Sequence, residues 1–386
     1  MTAQAPAYLD YAATSPVDAR VAAAMSECLT LDGVFGNPSS MHQHGRLARE
    51  RVERARAQAA ALIHAEPQQL VWTSGATESN NLAILGTARA AARRGRHLVS
   101  ARTEHKAVID PYHRLEHEGF QVTWLETDGQ GLIAPQQVRE ALRDDTVLVS
   151  IMHANNEIGV LQDIEAIAAA CHERAVPLHV DAAQSAGKVS VDVTRLGCDL
   201  LSFTAHKMYG PKGIGALYFA PARRAALQPL VFGGGHERGL RSGTLAVHQI
   251  VGFGLACELA AAAWASDAQH CERLRARLWH GLQAIEGVLL NGHPTQRVAG
   301  ILNVSFTGIE GESLLMGLSD LSVSTGSACN SDSDEPSYVL RALGRDSELA
   351  QSSLRFSLGR FSTEADIDRA IAAVTREVRR LRAILP

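Results

Sequence analysis

The sequence predicts an α/β protein in two parts, a larger one built on a mostly parallel seven-stranded sheet and a smaller α+β one. Three observations carry this. Seven short apolar, β-branched runs recur between helical patterns. Those runs lack the polar alternation of a half-buried sheet, as expected for strands covered by helices on both faces. After about residue 250 the texture changes to a long Ala-rich and Arg-rich helical stretch ending near residue 287, then ILNVSF, a Gly/Ser loop, LRFSL and a terminal amphipathic helix.

In chain order the runs are LVWTS at 70–74, HLVSA at 97–101, QVTWLE at 121–126, TVLVSIM at 146–152, PLHVDA at 177–182, DLLSFTA at 199–205 and IGALYF at 214–219. Between the fourth and fifth, Ile164, Ile167, Ala168 and Cys171 share one helix face behind Asp163, a plausible N-cap. No period of 20 to 50 residues repeats and no low-complexity linker interrupts the pattern, which argues against a solenoid.

The 386 residues suggest two or three domains at roughly 150 residues each, and 46% hydrophobic residues supply an ample core. With 37 Lys plus Arg against 41 Asp plus Glu, the formal charge is -4, so no global field recruits nucleic acid or a membrane. Arg-rich stretches at Arg46–Arg56 and Arg376–Arg382 are interleaved with glutamates and read as solvated helix faces. The N-terminus lacks a basic n-region and an apolar h-region, and the apolar stretch Leu255–Ala265 is too short to span a bilayer, so a cytoplasmic protein is expected. Six cysteines, at 28, 171, 198, 257, 271 and 329, include no C-x-x-C pair and suggest neither a disulfide framework nor a zinc ribbon.

In an open α/β sheet, ligands bind at the carboxyl ends of the strands. The run TSGATESNN follows a strand and opens a helix, so backbone N–H groups near Gly75, Ala76 and Thr77 can cradle a phosphate. One strand ends at Asp181 and is followed by Gln184; the next ends in SFTAHK, with Thr204, His206 and Lys207 at its mouth. A lysine, a carboxylate and a phosphate cradle at neighbouring strand ends are what pyridoxal phosphate requires: an amine for its Schiff base, an acid for its ring nitrogen and a phosphate site.

These residues resemble the cysteine desulfurases among the fold-type I pyridoxal-phosphate transferases, the class-V aminotransferase family, and especially the housekeeping branch that feeds iron–sulfur cluster assembly. The resemblance runs from YLDYAATSPVD through FGNPSS, TSGATESNN, TEHKAV, HANNEIGVLQDI, HVDAAQS, HKMYGPKGIGALY, GGGHERGLRSGT, GSAC and EPSYVLRALG to LRFSLGRF. It implies a large cofactor-binding domain at 16–255 and a small domain of 1–15 plus 256–386, the latter carrying a catalytic-cysteine loop at about 322–337.

By the same resemblance, Lys207 holds the cofactor, Asp181 pairs with its ring nitrogen, Gln184 bonds its ring oxygen and His105 stacks on the ring and exchanges protons. Ala76, Thr77, Thr204 and His206 bind the phosphate, joined by Thr244 from the other subunit of a homodimer. Asn156, also counted with the cofactor, and Arg355 orient the substrate carboxylate, and Cys329 accepts sulfur to become a persulfide. L-cysteine is the implied substrate and a sulfur-acceptor protein the implied partner. Around Cys329 the run SVSTGSACNSDSDEPS has the composition of an exposed, mobile loop, which suits a reactive thiol. Cys171 and Cys257 sit in apolar sequence and read as structural.

Other readings remain beside it. A related selenocysteine lyase, or a sulfur donor to DNA or tRNA modification, would share these motifs, whereas a catalytically dead binding homologue would not need every position filled. The run HRLEH matches the H-x-x-E-H pattern of inverted zincins, with His113, Glu116 and His117 as the zinc-hydrolase alternative. Departures from the family pattern include Ala205, expected to add a methyl beside the phosphate, and Thr325, Asn330, Asp332 and Asp334 around the thiol. The chain also stops at Pro386, short of the tail by which housekeeping members grip the scaffold protein. Together these lead us to expect weak, salt-sensitive association with that scaffold.

Overall fold

A computed structural model describes residues 5–221, 226–325 and 335–384; Cys329, Asn330, Asp332 and Asp334 lie outside the described residues. Strand β1 (Ala7–Tyr8) belongs to the smaller part. The expected runs become β2 (Leu70–Thr73), β3 (His97–Ala101), β4 (Gln121–Leu125), β5 (Thr146–Met152), β6 (Leu178–Asp181), β7 (Leu200–Thr204) and β8 (Gly215–Phe219). They form one seven-stranded sheet in the order β2-β8-β7-β6-β5-β3-β4. Only β8 runs against its neighbours; every other pairing is parallel. The carboxyl ends of β2, β5, β6 and β7 therefore lie along one edge, where a ligand is expected.

Every residue of β2, β3, β5, β6, β7 and β8 is buried, which is why these segments carry no polar alternation. The outermost strand β4 is partly exposed and keeps Gln121 and Thr123. Inside the sheet, the few polar side chains pair with one another. His179 meets Ser150 at 2.7 Å and Ser202 at 3.0 Å, and burial pushes its imidazole down to about 3, so it is neutral.

The smaller part holds β9 (Val288–Asn291), β10 (Ile301–Phe306) and β12 (Ser353–Ser357) in an antiparallel sheet of order β12-β10-β9. Between them in sequence, β11 (Leu321–Ser322) pairs in parallel with β1. Helix Glu364–Ile384 buries Ile367, Ala370, Val374 and Val378 beneath this layer. The N-terminal segment is tied in by a bridge from Asp10 to Ser357, which carries residues 10–14 across the edge of the large sheet.

Helix Val247–Leu282 joins the two parts. Ile250, Phe253, Cys257 and Ala260 lie in the large core, whereas Cys271, Leu274, Leu278 and Leu282 lie in the small one. The expected boundary at 255/256 falls inside this helix. It is long and apolar enough to cross a membrane, but here it packs along helices Gln43–Leu62, Ala19–Ser26 and Glu364–Ile384. Gly254 allows the first of these contacts: a Cβ there would stand 2.5 Å from the Ala55 Cα.

Candidate active site

The ends of β2, β5, β6 and β7, the segment 10–14 and Arg355 of β12 enclose a cleft of about 690 Å³. Ala76, Thr77, His105, Asn156, Asp181, Gln184, Thr204, His206, Lys207 and Arg355 all line it. Thr244 does not; it is exposed.

At one end, helix Ala76–Ala91 starts at Gly75 with no side chain capping its first turn, which leaves donors and the helix dipole facing the cleft. The turn lies close against β8, because a Cβ on Gly215 would stand 2.6 Å from the Gly75 Cα. Glu78 in that first turn is not loose: its carboxylate accepts from Ser74 N (2.7 Å) and from Arg241 Nε (2.8 Å). Thr204 gives its hydroxyl to Ile214 O at 3.1 Å. The His206 Nδ1 lies 3.2 Å from Thr14 Oγ1, and burial together with the Lys207 charge pushes its imidazole down to about 4. The neutral ring offers one N–H and no charge.

At the centre, Asp181 ends β6. Its Oδ2 accepts from Asn80 Nδ2 at 2.7 Å and its Oδ1 from Ala183 N at 2.9 Å, so both oxygens are oriented. Lys207, on the short turn after β7, directs its ammonium to the carbonyls of Ala12 and Ala13, the latter at 2.7 Å. Gln184 donates through Nε2 to Ala12 O at 2.8 Å. His105 caps helix Lys106–His117, its Nδ1 accepting from Ala107 N at 3.0 Å. An accepting Nδ1 carries no proton, so in the neutral ring the proton sits on Nε2.

At the far end, the buried Arg355 gives Nη1 to Asn156 O (2.9 Å) and Nη2 to Asp10 Oδ1 (2.8 Å), while Nε has no partner among the described residues. The Asn156 Oδ1 is likewise buried without a partner. Next to it, Glu157 is enclosed, burial pushes its carboxyl up to about 7, and it accepts from Ser337 Oγ at 2.5 Å. Ser337 lies eight positions beyond Cys329 in the sequence.

Sequence reasoning missed Asp10, Asn80, the Ala12 and Ala13 carbonyls and Lys212, all in or beside the cleft. Asn80 stood inside the quoted TSGATESNN run, and an asparagine on a buried helix face was the available signal. One expectation is corrected. Ala205 does not put its methyl beside the phosphate site: it is fully buried in the core against Gly210 and does not line the cleft. The run GGGHERG does not line this cleft; its Glu237 accepts from Arg56 Nη1 (2.8 Å) and from the backbone N–H of Trp72 (2.9 Å).

The zinc alternative finds no site. His113 spends Nδ1 on Glu116 at 2.6 Å and packs its ring on Trp124, and no cluster of three potential ligands occurs among the described residues.

The profile of the Aminotransferase class-V family matches residues 7–370. A cysteine desulfurase IscS of Aeromonas salmonicida is 58% identical over 382 residues, covering 99% of this chain and 95% of the relative. The same enzyme of Shewanella loihica is 55% identical over the same span. This chain belongs to the class-V aminotransferases, on their cysteine desulfurase branch. A solved NifS-like protein superposes with a TM-score of 0.91 at 34% identity, covering 97% of this chain and all of its own. SspA in complex with cysteine gives 0.83 at 37% identity, covering 92% of this chain, and DndA of Streptomyces lividans gives 0.76 at 40% identity, covering 91%.

Enzymes of this family depend on pyridoxal phosphate, and the residues present fit it. The uncapped helix start suits the phosphate, the doubly anchored Asp181 the ring nitrogen, and Lys207 the aldehyde carbon. The unpartnered Asn156 Oδ1 and Arg355 Nε mark polar positions that a bound group would complete.

Proposed function

We propose that this protein moves the sulfur of L-cysteine onto Cys329 and releases L-alanine, as a pyridoxal-phosphate-dependent cysteine desulfurase. The observation that carries the reading is the meeting of Lys207, Asp181 and Arg355 in one cleft. The similarity to SspA solved with cysteine supports the substrate. When bound, the cofactor supplies an electron sink for the electrons released at the substrate α-carbon.

The chain's own residues do the rest. Asp181, held by Asn80 and Ala183 N, keeps a proton on the ring nitrogen by ion pairing. Arg355, which lines the cleft with Asp10 on its Nη2, is the cation that takes the substrate carboxylate, and Asn156 lies beside it. Lys207 would hold the cofactor, and its Nζ would receive the α-proton; the Ala12 and Ala13 carbonyls, which accept from this ammonium here, are placed to hold it. The His105 Nε2, carrying its proton, exchanges protons at the substrate. The Cys329 thiolate attacks the substrate sulfur: an S–S bond forms, the Cβ–S bond breaks, and protons delivered to carbon complete alanine. Cysteine plus thiol gives alanine plus persulfide, with no external oxidant.

The proposal extends to a homodimer in which Thr244 completes the partner's phosphate site. Met41 and Phe232 are 88% and 80% exposed, and Leu31 and Phe35 are exposed nearby in sequence, apolar surface that a second copy would cover. Sedimentation is expected to give a dimer that dissociates only with loss of cofactor; a monomer with full activity and cofactor would contradict this. A cytoplasmic setting accords with free, buried thiols at all five described cysteines.

For the acceptor, we propose a protein with a basic or hydrogen-bonding surface, in iron–sulfur assembly or in thiolation. Asp332, Asp334 and Glu335 place three acids just beyond Cys329. Glu335 lines a groove with Arg102, Lys106 and Arg341, so part of that charge has basic neighbours at home. One experiment tests activity and acceptor together, using sulfur-labelled cysteine with an iron–sulfur scaffold protein at low and high salt. Alanine should appear with label on the enzyme, and transfer to the scaffold should fall several-fold at high salt. Absence of alanine would sink the activity, and tight, salt-independent transfer would remove the case for an unusual acceptor.

A further inference from the structure

Lys212 has no role in the chemistry above, although it lines the same cleft. It sits in the loop between the Lys207 turn and β8, an exposed residue whose backbone is fixed, since its carbonyl accepts from Gln249 Nε2 at 3.1 Å. The residues that follow it touch the helix-start end of the cleft. Ile214 O accepts from Thr204 Oγ1 at 3.1 Å, and a Cβ on Gly215 would stand 2.6 Å from the Gly75 Cα. The Lys212 charge also acts on the His206 imidazole, adding to burial and to Lys207 in pushing it down to about 4.

The other carboxylates, lysines and arginines that line the cleft are engaged. Glu78 accepts from Arg241 at 2.8 Å, Arg355 gives Nη2 to Asp10 at 2.8 Å, Asp181 accepts from Asn80 and Ala183 N, and Lys207 donates to the Ala12 and Ala13 carbonyls. The Lys212 ammonium meets no acceptor among the described residues. A charge balance shows what the helix-start end lacks. A phosphate monoester carries about −1.5 to −2 at neutral pH, whereas a helix N-terminus supplies the equivalent of about +0.5. Thr77 and Thr204 offer hydroxyls and the neutral His206 an N–H, but none of them a charge. Lys207 is committed to the aldehyde carbon, so Lys212 is the cation left for this end.

We propose that Lys212 supplies the counter-charge for the phosphate of pyridoxal phosphate, reaching it from the loop before β8. The proposal rests on the cofactor reading above and goes beyond it. A lysine suits this task because its ammonium is a point charge on a flexible stem, able to meet an anion without the planar match that arginine demands. Its exposure makes the attraction sensitive to salt, unlike the hydroxyl and backbone contacts beside it.

The test measures cofactor binding by the full-length protein, stripped of cofactor and titrated with pyridoxal phosphate or with pyridoxal, which lacks the phosphate, using visible absorbance. Lys212→Met and Lys212→Gln should raise the dissociation constant for pyridoxal phosphate about fivefold at low salt, the upper end for an exposed ion pair, and leave that for pyridoxal unchanged. Added salt should narrow the gap between parent and variants. Lys212→Arg, which keeps the charge, should bind pyridoxal phosphate as the parent does. Unchanged affinity for pyridoxal phosphate in both neutral variants, or an equal loss for both ligands, would overturn the proposal. Loss of fold in both, read by circular dichroism, would also overturn it by making Lys212 structural. A parent protein that binds no pyridoxal phosphate would instead sink the cofactor reading itself.

Discussion

Lys207→Ala is expected to abolish alanine formation from cysteine. In the mechanism proposed above, the substitution removes the cofactor's covalent anchor and the group that receives the α-proton, and proton transfer by a positioned side chain alone is worth about 10²–10⁴ in rate. The other amines do not stand in for it. Lys188 is committed to Gln184 at 2.7 Å, and Lys212, although it lines the cleft, does not share the Ala12 and Ala13 carbonyls that receive the Lys207 ammonium. Borohydride reduction followed by mass analysis should fix cofactor to residue 207 in the parent and to no residue in the variant. An active, normally coloured variant would overturn the assignment.

The same residues show why parts of this protein were legible in the sequence. The strands of the large sheet could be read because six of them are buried throughout, a demand that only continuous apolar runs satisfy. Strands β1 and β11, of two residues each, have no periodicity to read and exist because they meet each other across 314 positions of chain, Ala7 opposite Leu321. In the site, Asp181 and Lys207 were legible because strand ends and reactive side chains coincide.

Their supports were not legible. The carbonyls that hold Lys207 belong to alanines 195 and 194 positions away, and a backbone acceptor leaves no mark in side-chain identity. Asn80 reaches Asp181 across 101 positions, and Asp10 reaches Arg355 across 345. Ala205 illustrates the opposite failure: its motif position suggested the phosphate, but the turn after β7 points its methyl into the core. Sequence motifs placed the candidate residues in one cleft, and side-chain direction was less legible, since direction is set by local backbone geometry.

Cys329→Ser is expected to leave the cofactor spectrum intact and to eliminate the enzyme persulfide, with alanine formation reduced by at least about 10²-fold, the lower range for loss of a positioned catalytic group. A serine hydroxyl cannot become a sulfane carrier, and the other thiols are poorly placed to replace it. Cys28, Cys171, Cys198, Cys257 and Cys271 are all buried. Burial pushes Cys171 and Cys198 up to about 12 and Cys271 up to about 11, and it raises Cys28 and Cys257 as well. At neutral pH a thiol near 12 is ionised only to the order of 10⁻⁵, and the thiolate is the nucleophile. None of the five lines the cleft that holds Lys207 and Asp181. Peptide mapping after one turnover should therefore find the added sulfur on Cys329 in the parent and on no cysteine in the variant. Added sulfur on Cys171 or Cys257 of the parent would show that the wrong thiol had been chosen, because those residues could act only if the core opened during turnover.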